Sequence, residues 1–419
     1  MKNSRLLTIF VIVFVDLLGF GLILPLLPYY AEAYGATPVV VGFLVASYAA
    51  AQLIGAPLLG RLSDRYGRRP ILLLSVFGTL VGFLLLALAE PIGRGIAALI
   101  ASEQVNFFII GVLFLSRVLD GLTGGNISVA QAYIADVTDE QNRARGLGLI
   151  GAAFGLGFII GPAAGGALSQ FGYNVPAFAA AAIALFNLTQ IFFFLPESLS
   201  NERREALAQQ PKPPFTLTAL LQALQRPKVG PLLHVRLFFG LAFATFQTVF
   251  ALFAQAIGLQ AQTTGFVLAY VGILAVITQG GLIGVLTRRF RENALLISAL
   301  WVMGGSLLGW AFTRNLSALL VLLLPLAVSG GILNTVIQSA ISKAVSREEV
   351  GGILGLAASL EAMSRVVAPT LGGFLIQNIG VWAPGVFTAL LMVWTLTFTY
   401  RRIIHPGRTE RAKAETSHA

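Results

Sequence analysis

Long stretches of this chain are apolar at almost every position, without the alternation of a half-buried strand. These runs cover residues 6–30, 39–59, 70–89, 107–135, 146–169, 175–195, 230–256, 263–286, 294–312, 316–339, 351–376 and 380–400. A hydrocarbon layer about 30 Å thick is crossed by about 20 apolar helical residues. The pattern therefore predicts an all-α membrane protein with twelve transmembrane helices. A membrane β-barrel would alternate apolar and polar positions along each segment. The first run follows Lys2 and Arg5 and precedes Ala31-Glu32-Ala33, the outline of a signal peptide. It is too long for a signal h-region and contains Asp16, Pro25 and Pro28, so it is read as a retained helix 1.

The polar interruptions organise the rest. The longest, 196–229, is basic and proline-bearing, as a linker should be. Within it Leu217, Leu220, Leu221 and Leu224 share helical spacing, which suits a short helix lying on a membrane surface. The expected layout is a six-helix bundle over 1–195, the linker 196–229, a second six-helix bundle over 230–402 and a tail over 403–419. The halves read as repeats. "GLIGAAFGLGFIIGPAAGGAL" at 148–168 aligns with "GLAASLEAMSRVVAPTLGGFL" at 355–375, and "GRLSDRYGRR" at 60–69 aligns with "GVLTRRFREN" at 284–293. Two pseudo-symmetric six-helix halves are the sequence mark of a transporter with its binding site at the repeat interface.

Composition and charge sharpen this. Of 419 residues, 56% are hydrophobic and only 11% charged, which leaves no stretch for a soluble domain. The net charge of +10 would suggest nucleic acid in a soluble protein, but its distribution answers otherwise. With a cytoplasmic N-terminus, 23 of the 28 Lys and Arg fall in inside segments, and only Arg94 and Arg314 in outside loops. That is the positive-inside pattern and predicts both termini in the cytoplasm of a cell-membrane protein. No cysteine is present, which excludes disulfides and thiolate metal sites. His234, His405 and His418 are too scattered for a metal centre. No nucleotide loop, zinc helix or serine elbow occurs, so neither an enzyme nor an ATP-driven pump is expected, and no cofactor.

Four motifs carry a family resemblance. "GRLSDRYGRR" between helices 2 and 3 resembles the loop signature of the major facilitator superfamily. "FVDLLGFGLILPLLP" in helix 1 and "SRVLDGLTGGNISVAQAYIADVTDEQNRARGLG" across helix 4 resemble its drug:proton antiporter branch. "GLGFIIGPAAGG" in helix 5 resembles that branch's antiporter motif, and the set is most similar to the tetracycline-resistance-like subgroup. Tetracycline exporters of that subgroup carry further acids in helices 3 and 9, where this chain has Gly82 and Met303.

The 60–69 turn admits two readings. Arg61, Arg65, Arg68 and Arg69 can simply fix topology. Topology needs no acid, however, and Asp64 lies at the start of helix 3, where a carboxylate is favourable. The resemblance implies that Asp64 meets helix 11 and that Arg68 pairs with Asp136, so that Gly60, Asp64, Arg65, Gly67, Arg68 and Asp136 form a gate. Arg288 replaces Asp64 in the second copy, which makes the latch one-sided. In helix 5, Gly157, Gly161 and Gly165 recur on one face beside Pro162, a pattern that brings helix backbones close. The resemblance implies that this face meets helix 8 and helps close the outer side; ordinary helix packing is the alternative.

Five intramembrane charges stand out. Asp16 lies about 15 Å into helix 1. An anion there is costly, so the residue suits either proton uptake and release or a structural role beside a neighbour. Helix 4 carries Arg117 and Asp120 on one face. Arginine stays charged and needs a partner. The resemblance makes Arg117 a relay of proton occupancy, while Asp120 either neutralises it or is a second protonation site. On helix 11, Glu361 and Arg365 are one turn apart. They either neutralise each other or hold a substrate group. Gln52, Asn187, Gln190, Phe239, Phe243, Gln247, Tyr270, Asn334 and Gln338 are mid-helix residues that fit either substrate contact or interhelical hydrogen bonding. The expectation is a monomeric secondary transporter in membrane lipid, exporting a small drug-like or amphiphilic molecule against protons. The alternatives are a proton-coupled carrier of a polar metabolite such as a sugar or organic acid, or a non-transporting membrane sensor.

Overall fold

Helix 1 does not run through its apolar stretch. It ends at Ile23 and gives way to a turn, and a short helix follows at Leu27–Glu32. Pro25 has no amide hydrogen and its ring opposes a preceding carbonyl, so the α-helix stops there although the hydrophobicity continues. The computed structural model describes residues 2–200, 202–205, 217–346 and 349–405. The linker residues 201 and 206–216 and the tail from 406 onward lie outside the described residues.

Among the described residues, twelve helices are long and apolar enough to cross a membrane. They are α1 (Leu6–Ile23), α2 (Pro38–Tyr66), α3 (Arg68–Ala87), α4 (Val105–Val137), α5 (Gly146–Phe171), α6 (Val175–Phe194), α7 (Gly230–Ala256), α8 (Ala261–Arg289), α9 (Glu292–Phe312), α10 (Leu316–Lys343), α11 (Val350–Asn378) and α12 (Ala383–Ile404). The outer segment after α3 folds as a separate helix, Ala89–Leu99, packed on α4 with Gly93 against Ile109. In the linker, Leu217–Gln225 is helical, with Leu220 and Ala223 buried.

α4 and α8 are irregular in mid-span, and in each the disturbed backbone has side-chain partners, as hydrocarbon requires. α4 breaks at Gly124-Gly125. There the Gln52 amide donates to the Gly124 carbonyl at 3.0 Å, and Ser75 donates to the Thr123 carbonyl. α8 contains a wide turn at Thr278–Leu282, and the Thr278 hydroxyl donates to the Leu274 carbonyl at 2.7 Å.

The chain forms two compact units. The first comprises residues 1–212 and 251–272, the second 213–250 and 273–419. In the first, α1 and α5 approach backbone to backbone. A Cβ placed on Gly161 would lie 2.7 Å from the Gly21 Cα, and one on Gly157 would lie 2.8 Å from the Leu17 Cβ. A core of Ile9, Ile12, Leu72, Val76, Tyr133 and Ile191 fills the space among α1, α3, α4 and α6. In the second unit Phe246, Phe250 and Trp310 form a buried aromatic group, with the Phe246 and Trp310 rings 5.1 Å apart and edge to face.

The predicted partner of the helix 5 glycines is corrected by this packing. Gly157, Gly161 and Gly165 face Leu17, Gly21 and Leu22 of α1, not helix 8. Helix 8 meets the neighbouring stripe one residue on. A Cβ on Gly265 would collide with the Pro162 carbonyl, and one on Gly272 would lie 3.0 Å from the Phe158 carbonyl. One residue turns a helix by about 100°, so the two stripes serve two different neighbours.

Candidate functional site

The first cluster is in the membrane-spanning part of the first unit. Asp16 is half-buried on α1. It lines a small pocket with Ile12, Val13, Leu72 and Val76, and the polar walls are Asn126 and Asn187. Asn187 donates to the Ile12 carbonyl at 3.0 Å, which fixes the amide beside the acid. Among the described residues, no Lys, Arg or His forms an ion pair with Asp16. The pocket lining is apolar carbon and two amides, which can accompany either a carboxylate or a carboxylic acid, and the Asp120 carboxyl is near enough to interact with Asp16 electrostatically.

Arg117 and Asp120 form an ion pair at 3.2 Å with both side chains almost fully buried. The guanidinium lies over the Phe83 ring at 5.8 Å, and its Nε donates to the Ser116 hydroxyl at 3.3 Å. Its Nη2 has no hydrogen-bond partner among the described residues. α3 leaves room for this pair through Gly82, where a Cβ would lie 3.0 Å from the Asp120 Cβ. Gly82 thus sits against the acid that this chain has on helix 4. Met303, at the corresponding helix 9 position, is fully buried.

The second cluster is the α2–α3 turn, and Asp64 lies in the last turn of α2 rather than at the start of α3, where the sequence had placed it. Gly67 has φ +105° and ψ 156°, a backbone region essentially reserved for glycine. The turn directs Arg68 inward. Its guanidinium pairs with Asp64 at 2.6 Å and with Asp136 at 3.0 Å, and donates to the Ser63 hydroxyl at 2.7 Å. Arg68 and Asp136 are both nearly inaccessible. Ser198 donates to the same Asp136 oxygen at 3.1 Å. Arg65 is exposed beside Tyr66, and a Cβ on Gly60 would meet open space, so neither is sterically bound into the cluster.

Glu197, just past α6, completes the turn and had no assigned role in the sequence reading. Its carboxylate accepts from the backbone N–H groups of Arg68 at 2.9 Å and Arg69 at 3.0 Å, the unsatisfied start of α3. It also accepts from Ser198 at 2.9 Å and Leu199 at 3.1 Å. A Cβ on Gly67 would lie 2.5 Å from the Glu197 Oε2 and would displace that carboxylate, while the positive φ is what calls for glycine. The only signal for this contact in the sequence was an acid at a helix end.

The third cluster is in the second unit. Glu361 pairs with Arg365 at 2.6 Å, as the i,i+4 spacing predicts, and its other oxygen pairs with Arg236 of α7. Arg236 also donates to the Asn334 side chain at 2.6 Å and lies over Phe239 at 6.0 Å. Arg236 lies in the apolar run 230–256, and no local pattern links it to Glu361, because α7 and α11 come together only in the fold.

The remaining candidates separate by setting. Asn187 is buried, Gln52 braces the α4 break, and Gln190 and Tyr270 are half-buried. Phe243 is stacked on Phe239 with ring centroids 5.7 Å apart and packs against Gly330. Gln247 and Gln338 are exposed. No group of three metal-binding side chains occurs among the described residues.

Comparison with known proteins gives a consistent pattern. A family model described as Major Facilitator Superfamily matches residues 9–300 and 280–418. The chain is 32% identical to Solute carrier family 22 member 18 of Rattus norvegicus, over 85% of this chain and 84% of that one. It is 31% identical to Tetracycline resistance protein, class C, of Escherichia coli, over 88% and 89%. The solved structure of the human organic anion transporter MFSD10 shares the fold, with a TM-score of 0.64 at 23% identity, covering 95% of this chain and 99% of that one.

Proposed function

The chain belongs to the Major Facilitator Superfamily and is a multi-pass membrane protein, and from that premise we propose that it exports small amphiphilic or drug-like compounds in exchange for protons. It resides in the cell membrane with both termini in the cytoplasm, in keeping with the distribution of its Lys and Arg. Two six-helix halves, 1–195 and 230–402, move against each other to alternate access, and the 196–229 segment joins them. The protein works as a monomer.

One observation carries the coupling assignment. Asp16 is an acid within a transmembrane helix, in an apolar pocket with amide neighbours and no cationic partner among the described residues. Such a carboxyl can change charge by taking a proton, whereas one fixed in an ion pair cannot do so without breaking it. Arg117 and Asp120 lie on α4 of the same unit and sense that change electrostatically. Arg68, Asp64 and Asp136, with Glu197 behind them, hold the cytoplasmic gate.

The test is transport in proteoliposomes with an imposed pH gradient. Asp16→Asn is expected to fold and to bind substrate but to lose uphill, gradient-driven flux. Retained uphill flux in that variant removes Asp16 from the coupling role. Ligand binding without any flux in the wild type would instead identify a sensor.

A further inference from the structure

The two intramembrane charge clusters differ in what a proton can do for them. In the first unit, Asp16 and Asp120 can each become neutral by protonation. In the second, the groups are Arg236, Arg365 and Glu361, two guanidiniums on one carboxylate. Arginine does not deprotonate in proteins, and protonating Glu361 would raise the cluster from +1 to +2. No change of protonation can remove this excess charge, and an uncompensated charge at membrane depth is unfavourable. It calls for an anion, and among the described residues only Glu361 is paired with these arginines.

The two cations are not equivalent. Arg236 is buried, with Glu361 on one nitrogen and the Asn334 carbonyl oxygen at 2.6 Å on another. Arg365 has the other Glu361 oxygen at 2.6 Å, and 56% of its side chain is accessible. Glu361 thus serves the buried arginine and is shared with the accessible one. The open valence of the cluster is the outer face of Arg365, whose planar fork suits a carboxylate or sulfonate. From the Arg236 end, Phe239 and then the half-buried Phe243 continue along α7 as a stacked apolar strip.

We propose that the second unit holds an anion subsite in which Arg365, backed by Glu361 and Arg236, takes the acidic group of the transported compound, so that the substrates are amphiphilic organic anions. This rests on the transporter reading above and narrows its substrate class. Arg365 is the contact residue. Arg236 and Asn334 position Glu361, which keeps Arg365 in place without fully neutralising the cluster.

The experiment is equilibrium binding to the purified full chain in detergent micelles, with three probes of one fluorophore: anionic dansylglycine, its neutral amide, and cationic dansylcadaverine. The wild type should bind the carboxylate more tightly than the amide, and the cation most weakly. Arg365→Gln leaves the Arg236–Glu361 pair in place and makes the cluster neutral. It should weaken the carboxylate about tenfold or more and leave the amide unchanged. Arg365→Lys, which keeps the charge but not the fork, should retain part of the preference. Equal affinity for the three probes in the wild type means solvent alone answers the excess charge and overturns the proposal. So does failure of the carboxylate to bind, or an equal loss for all three probes in Arg365→Gln. Because the measurement uses no pH gradient, failure of the Asp16 assignment leaves its outcome untouched, and the reverse also holds.

Discussion

Neutralising Asp120 should cost more than removing the arginine it faces, although both changes break the same ion pair. Arg117 and Asp120 are 3.2 Å apart, with side chains 3% and 4% accessible. At an effective dielectric near 20, charges about 4 Å apart attract by about 4 kcal/mol. Breaking a buried pair by removing one member typically costs about 3–5 kcal/mol. Asp120→Asn preserves shape but strands a guanidinium that cannot lose its proton. Its other supports are the Ser116 hydroxyl at 3.3 Å and the Phe83 face. The full penalty of about 3–5 kcal/mol is therefore expected. Arg117→Gln strands a carboxyl that can take up a proton, and the cost falls to about 1–3 kcal/mol, that of a buried polar group with an imperfect partner. The double variant should cost less than the sum of the two single variants by a coupling energy of about 2–3 kcal/mol. The assay is reversible unfolding in mixed dodecyl maltoside and SDS micelles, followed by tryptophan fluorescence. If Asp120→Asn is as stable as the wild type, Asp120 is already uncharged in the resting protein. The neutralising role is then wrong, and Asp120 becomes a second protonation site.

Other expectations follow from the remaining clusters. Gly67→Ala should destabilise by about 1–3 kcal/mol through its backbone conformation alone, with a further loss from contact with Glu197, read in the same unfolding titration. Glu197→Ala should cost about 0.5–2 kcal/mol, as the loss of a helix N-cap does. It should also speed hydrogen exchange at the Arg68 and Arg69 amides, and unchanged exchange there would exclude the cap. Gly161→Leu should separate α1 from α5 and abolish folding, measured as loss of monodisperse protein on gel filtration. Outside the membrane spans, Glu90 accepts from the Tyr34 hydroxyl at 2.8 Å, and this bond, then Arg94, holds its carboxyl below the usual range. That contact contributes to stability above the ordinary carboxylate range and is lost as pH falls through the lowered folded-state value. Tyr34→Phe should therefore move the Glu90 titration midpoint upward in carboxyl carbon NMR.

The number of spans, the twofold repeat and the family were legible in the sequence because each follows from local chemistry. Hydrocarbon leaves most backbone polar groups to be satisfied within their own helix, so span length and apolar content appear directly in the run of residues. The i,i+4 pair Glu361–Arg365 and the i,i+3 pair Arg117–Asp120 were legible for the same reason, since helix geometry alone brings them together. Hydrophobicity continues across Pro25 and across Gly124-Gly125, so the apolar runs gave no break at either place. Only the folded chain fixed where α1 ends and how Gln52 and Ser75 cover the break in α4. The tertiary structure also decided every contact between distant segments. It set Arg236 on Glu361 across 125 residues and Glu197 on the start of α3 across 129. It turned the Gly157, Gly161 and Gly165 face toward α1 and left the adjacent stripe for α8. Sequence periodicity specifies which side of a helix is suited to close packing. Which helix fills that side depends on how all the others are placed around it, and no local pattern encodes that.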